Sequence, residues 1–318
     1  LLRNNSADTI MVEAINVSVY DRDQRLVLRR LIDDNGSSPS IETVPRRRIA
    51  PGGRILIFNP FHTFTTETEL HELRYEFRLR SGKRSDTVNI KISPSAFEHK
   101  TRLRLPLRGA IIVYDAHDYY AHHRRLNFAD AMGQQLGINA NFMRYAYDFI
   151  PVDSLGNMNK GDIALNESWL GFGAEVLAPG NGRVVQLNDR AADDRQIDMA
   201  AVMKEPIALY GNYLVIDHLN GEFSLLGHIK QGSARVHLGE MVKVGEHVAD
   251  VGAAGSSSMP HLHYELRTAG GVRGVEGLPS YFEDYVRLVG SRRISVKKGT
   301  PLSGDVVRRN EHIPRAPR

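Results

Sequence analysis

Two histidines two residues apart, His261 and His263, lie in the run Met259–Arg267, MPHLHYELR. In a strand, side chains at i and i+2 leave the same face, about 7 Å apart by the strand rise. Two neutral imidazoles aimed at one spot suit a divalent metal or a metal-bound water. The chain holds 13 histidines, so a chance surface pair matches this short motif equally well. Its weight therefore depends on what else the sequence brings to it. The other concentration of such groups is Asp115–Arg125, DAHDYYAHHRR, with His117, Asp118, His122 and His123. His62, His71 and His99 stand alone and read as structural or solvated.

Short strands must position these groups. Gly173–Pro179, Gly182–Leu187, Asn212–His218, Glu222–Leu226 and Met241–Val251 alternate with Gly-Asn, Asn-Gly and Gly-Glu turns, which predicts an antiparallel sheet domain. Gly109–Tyr114 and Asn141–Pro151 read as two preceding strands, with a short helix and loop between them. Asn188–Leu209 reads as a polar loop with one or two helical turns, and Tyr281–Val289 as a helix. Gly252 and Gly255, with Ser256–Ser258, predict a flexible rim beside the histidines. Upstream, Thr9–Tyr20, Gln24–Leu31, Arg54–Phe58, Glu69–Arg80 and Thr87–Ile92 predict an immunoglobulin-like sandwich with no clustered chemistry, a scaffold or docking module. Pro94–Leu107 reads as a linker. The expected division is an all-β chain with a sandwich over 1–108, the site-bearing β domain over 109–290, and a terminal strand and basic tail over 291–318.

Composition bounds these readings. At 318 residues the chain is long enough for two domains. With 42% hydrophobic and 25% charged residues it is not a disordered chain. No apolar run approaches the roughly 20 residues of a membrane span, and no charged-then-apolar leader pattern opens the sequence. The absence of cysteine excludes disulfides, thiolate metal sites and a cysteine nucleophile. A net charge of +4 and a pI near 9.2 favour anionic surroundings such as wall polymer or lipid head groups. No basic helix, zinc finger or aromatic RNA-binding stretch accompanies that charge, so nucleic acid is not the expected partner. Arg46–Arg48 and the arginines of the tail, Arg315 and Arg318, read as solvated surface.

Taken in order, Asp148 on a strand, GAEVLAPGNGRVV, GNYLVIDHLNGEFSLLGHI and VHLGEMVKVGEHVADVGAAGSSSMPHLHYELR resemble the lysostaphin/LytM-type zinc endopeptidases. The resemblance runs from about Tyr145 to Tyr285. It implies a lysostaphin-like antiparallel β domain that cleaves peptide cross-links of peptidoglycan outside the cytoplasm, with Zn2+ as cofactor. Envelope proteins are further partners to expect through the N-terminal sandwich. That family pairs a His-x-x-x-Asp with a His-x-His, and its first His, its Asp and its last His hold zinc. The resemblance therefore implies Asp148 and His263 as ligands, with His228 and His261 flanking the zinc-bound water.

One position departs from the pattern. Four residues before Asp148 stands Arg144, which has no lone pair for a metal. Two readings follow. In one, an upstream histidine supplies the missing ligand. The chain looks like a subgroup with His-His-Arg ahead of Arg-x-Ala-x-Asp, which makes His123 the expected ligand and His122 the alternative. In the other, Arg144 shares a strand face with Asp148 and pairs with it in the metal's place, which leaves a binding or regulatory module for wall hydrolysis. The retention of His228, His261 and His263 together favours the hydrolase.

Overall fold

In the computed structural model, residues 1–310 are described apart from 45, 59, 62, 63 and 66; His62 and the Arg315–Arg318 tail lie outside the described residues. The chain is almost all β. It divides into two units, Leu1–Glu98 with Asn127–Ala131, and His99–Leu126 with Met132–Arg318. No described helix is long and apolar enough to cross a membrane.

In the first unit the β-branched run Ile10–Tyr20 forms an eleven-residue central strand. Leu26–Asp33 and Glu72–Ser81 flank it, Arg84–Ile92 pairs outside the latter, and Arg48–Ile49 adds a short rung, all antiparallel. Val12, Ile15, Val17 and Val19 pack with Ile41, Leu73 and Leu79 into its core. Leu2–Arg3 and Arg54–Ile55 make a separate two-stranded ribbon. Among the described residues this unit brings no His, Asp and Glu together as a metal-sized group.

The second unit is built on an eleven-stranded sheet. Its order is Met241–Val242, Gly182–Asn188, Tyr213–Asp217, Phe223–Gly227, Leu262–Arg267, Tyr147–Pro151, Ala110–Asp115, Val306–Arg309, Phe282–Val289 and Arg292–Gly299, with Gly277–Leu278 also paired to Leu262–Arg267. The two-stranded sheet Glu175–Leu177 and His247–Asp250 contributes Val176, Val248 and Ala249 to a core shared with Leu214, Ile216, Leu226, Leu262, Tyr264, Tyr147 and Phe149. Leu262–Arg267 is buried at all six positions, as befits a strand with neighbours on both sides.

Several expectations are corrected here. Tyr281–Val289 is not a helix: Phe282–Val289 is a strand paired on both sides, joined to Arg292–Gly299 by the two-residue turn Gly290-Ser291. Glycine opening a two-residue turn is a hairpin signal, and aromatic and β-branched residues fit the strand. The presumed linker Pro94–Leu107 is exposed along its first half, but in its second half Leu103, Leu105 and Leu107 alternate into the core at 0–1% exposure. The prolines at 94 and 106 mask that period-two pattern. The strand expected over Asn141–Pro151 begins only at Tyr147, after successive turns at Asn141–Arg144 and Met143–Ala146.

Candidate metal centre

Strand register lines up Asp115, Asp148, His263 and Gly227 in one row across four adjacent strands. Side chains opposite each other in antiparallel strands have Cβ atoms about 4.5–5.5 Å apart, so a carboxylate and an imidazole in such a row meet. A bulge between Val113 and Asp115 inserts exposed Tyr114 and turns Asp115 toward the face that Asp148 uses.

Asp148 sits at the centre. Its Oδ1 lies 3.0 Å from His263 Nδ1 and 3.4 Å from His261 Nε2, and its Oδ2 lies 3.8 Å from His123 Nε2. His228, His261 and His263 offer ligand atoms within 4.8 Å of one another, as do Asp115, His122, His123 and Asp148. The five central residues are nearly closed to solvent: His263 1%, His228 3%, Asp148 5%, His261 6% and His123 7% exposed. Burial alone would raise the Asp148 carboxyl, but His123, His261 and His263 around it hold it well below the usual carboxylate range. Burial likewise opposes charge on His263, yet carboxylates at both ring nitrogens push it up to about 9.

The second ring nitrogen of His263 is also occupied. Its Nε2 donates to Glu265 Oε1 at 2.8 Å, and the hydroxyl of Tyr210 donates to the same oxygen. Arg267, fully buried, donates from Nη1 to Glu265 Oε2 at 3.2 Å. Sequence reasoning missed Glu265, Arg267 and Tyr210. A signal existed for the first two: His263, Glu265 and Arg267 alternate along one face, while Leu262, Tyr264 and Leu266 face the core.

The two remaining histidines are held by backbone carbonyls. His261 Nδ1 faces the carbonyl of Met259 at 2.7 Å, and His228 Nδ1 faces the carbonyls of Ala254 at 2.7 Å and Tyr210 at 3.1 Å. Carbonyls only accept, so each Nδ1 carries a proton and each ring is held in place from that side. Burial, reinforced by His261 and His263, holds His228 neutral, well below the usual imidazole range. His228 itself lies in the left-handed region at φ 58°. The carbonyls that hold it depend on Gly211 and Gly255, whose backbones touch: a Cβ on either would come within 2.4 Å of the other's nitrogen. Gly252 is equally crowded, by Asp193 and Lys230. Gly252 and Gly255 thus serve close packing, which corrects the flexible rim expected there.

His123 begins the one-turn helix His123–Arg125 in the connection between Ala110–Asp115 and Tyr147–Pro151. Asn141 clamps that turn by donating from Nδ2 to the carbonyls of His123 and Arg124, each at 3.0 Å. His122 stacks outside it, with a side chain 61% exposed. Arg144 takes no part in the centre. It precedes the strand and lies 3.6 Å from Glu276, so the expected Arg144–Asp148 pair is not formed. His218 packs at a strand end between Asn181 O and Ser224 Oγ, both at 2.7 Å.

The donor chemistry fits a zinc ion: two imidazole nitrogens and a carboxylate are the protein ligands of a catalytic site, whose fourth position goes to water or substrate. Residues 170–274 match the model for peptidase family M23. This stretch is an M23 domain. The M23 domain takes in His228, His261 and His263, whereas His123 and Asp148 precede it in the chain. The murein hydrolase activator EnvC of Escherichia coli is 31% identical over 98 residues, 31% of this chain and 19% of that protein. The peptidoglycan DD-endopeptidase ShyB of Vibrio cholerae is 34% identical over 95 residues, 30% of this chain and 18% of that one. The matched stretch thus spans about a fifth of the length of these curated relatives. The catalytic domain of lysostaphin from Staphylococcus simulans aligns at TM-score 0.26 with 16% identity, over 38% of this chain and 84% of that one.

Proposed function

We propose that the M23 domain, completed by His123 and Asp148, is a zinc-dependent endopeptidase that acts outside the cytoplasm on peptide cross-links of peptidoglycan. The observation that carries the reading is convergence. His123, His261 and His263 meet around the Asp148 carboxylate, and His228 joins His261 and His263 within ligand reach, so four separate stretches of chain contribute. His123, Asp148 and His263 would hold the ion, and His123 fills the place that Arg144 leaves empty of a ligand. Bound there, zinc would polarise a scissile carbonyl and acidify a water. His228 and His261, each held by a backbone carbonyl at Nδ1, would accept the proton of the attacking water at Nε2. The imidazolium so formed is an N–H donor, able to hold the developing oxyanion or return the proton to the leaving amine. The peptidoglycan substrate and the envelope location draw on the likeness to ShyB. The N-terminal unit, with no metal-sized cluster among its described residues, serves in this reading to position the domain against an envelope partner.

A second reading, a metal-free module that activates other wall hydrolases, draws on the likeness to EnvC. In that reading the Asp148 charge is balanced without metal by the His263 imidazolium, not by Arg144, which pairs with Glu276. Elemental analysis of the purified chain, with amine release from cross-linked peptidoglycan, separates the two. About one zinc per chain together with amine release is expected. Absence of zinc after incubation with it would move the assignment to the activator, and a zinc-loaded chain that frees no amines would sink the endopeptidase.

A further inference from the structure

We infer that Asp115 is a positioning residue that selects His123, rather than its neighbour His122, as the third metal ligand. The inference rests on the zinc reading above. A ligand on a one-turn helix in a long connection is less fixed than one on a paired strand, so something must orient it. Asp115 is the last residue of the strand Ala110–Asp115 and only 6% exposed. Its two oxygens accept the backbone N–H groups of His122 at 3.2 Å and His123 at 3.4 Å, which ties the dipeptide to the sheet. Both imidazoles then turn Nδ1 toward Oδ2, at 3.1 Å for His122 and 2.8 Å for His123. The His123 contact is short but bent off the line of a hydrogen bond, so the two rings compete for one oxygen.

What separates them is the other nitrogen. His123 is inside the unit and its Nε2 faces Asp148, whereas His122 is stacked on the outer side with ring centroids 3.8 Å apart. With Asp115 Oδ2 2.8 Å away, the carboxylate favours the proton of His123 on Nδ1, which presents the lone pair of Nε2 to the metal position. The arrangement matches that of His263, which stands between Asp148 on one nitrogen and Glu265 on the other. Each imidazole ligand is therefore backed by its own buried carboxylate, and Asp115 plays for His123 the part that Glu265 plays for His263.

The test is zinc affinity of the full chain, measured by competition with a chromophoric chelator, and the absorption spectrum of the cobalt-substituted protein. Asp115→Asn is expected to weaken zinc 10–100-fold and to shift the cobalt spectrum. His122→Ala should keep wild-type affinity, and His123→Ala should lose it. Added to His123→Ala, Asp115→Asn should cause no further loss, because its effect passes through that ring. Wild-type affinity in Asp115→Asn, a further loss in the double variant, or equal losses in His122→Ala and His123→Ala would overturn the inference. If Asp115→Asn does not fold, Asp115→Glu, which keeps the charge but moves the carboxylate, takes its place, with the same weakening of zinc and shift of the cobalt spectrum expected and wild-type affinity overturning the inference. A wild-type chain that takes up no zinc defeats the zinc reading and this inference with it, an outcome distinct from a zinc-binding chain indifferent to Asp115.

Discussion

Asp148 and His263 are direct register partners on neighbouring antiparallel strands, with His263 Nδ1 3.0 Å from Asp148 Oδ1. Backbone pairing therefore fixes two of the proposed ligands, and every other contributor has to reach them. His261 does so from the residue before its strand, His228 from the residue after its own, and His123 from a turn.

That hierarchy predicts a clean separation of variants. His263→Ala and Asp148→Ala should abolish stoichiometric zinc, and Arg144→Ala should leave it intact because Arg144 pairs with Glu276. His228→Ala and His261→Ala should retain zinc and lose turnover by about 10²–10⁴-fold, the range of a general acid–base group. Elemental analysis beside initial rates checks each variant. Full zinc in His263→Ala would remove the proposed centre.

Glu265 makes a second prediction, on stability. Glu265→Gln leaves Arg267 fully buried with its charge uncompensated. Breaking a buried pair from one side costs on the order of 3–5 kcal/mol. Trp169 is the single tryptophan of the chain and is buried in the second unit, so its fluorescence in urea follows that unit's unfolding. The metal-free variant should unfold at clearly lower urea than wild type. An unchanged midpoint would mean that Arg267 finds another partner.

Much of this centre could be read before folding, and the reason is local. His261 and His263 lie on one short element, and the ordered glycine-and-strand pattern up to them is a continuous signal. His123 was readable only as one of two adjacent histidines, because which of them turns inward beside Asp148 is decided by the folded turn and not by any local pattern. Arg144 misled for the opposite reason. A period-two face was assumed for Asn141–Pro151, but the turns before Tyr147 break the phase and carry Arg144 to Glu276. Tyr210 could not be found at all, since it reaches Glu265 across 55 residues of chain.

Gly255 gives a third prediction. It sits at φ +72° with its Cβ position 2.4 Å from the nitrogen of Gly211. Gly255→Ala meets both the left-handed penalty and a backbone clash, together on the order of 2–4 kcal/mol. Relief must come from moving the 254–255 peptide, and the Ala254 carbonyl holds His228 Nδ1. Turnover should therefore fall while zinc content stays near wild type. Zinc loss in step with activity would show that the clash spreads to His263 instead.

The fourth prediction concerns acid. His117 is buried with Nε2 donating to the carbonyl of Tyr145 at 2.9 Å. Burial, helped by the Arg124 guanidinium, lowers its pKa to about 3 against the opposing pull of that carbonyl and Asp118. Its ordinary value is 6.5, so between these limits the unfolded chain binds a proton that the folded one refuses. Stability contributed by neutral His117 is therefore complete above pH 6.5 and is lost as pH falls toward 3, by about 1.4 kcal/mol per unit in mid-range. His117→Gln keeps a donor for the Tyr145 carbonyl but cannot titrate. Urea unfolding followed by Trp169 in metal-free protein, at several pH values from 7 down to 4.5, should give a shallower loss for the variant, by about one proton's slope. Parallel curves for the two proteins would mean that His117 is charged in the folded state or already shielded in the unfolded one.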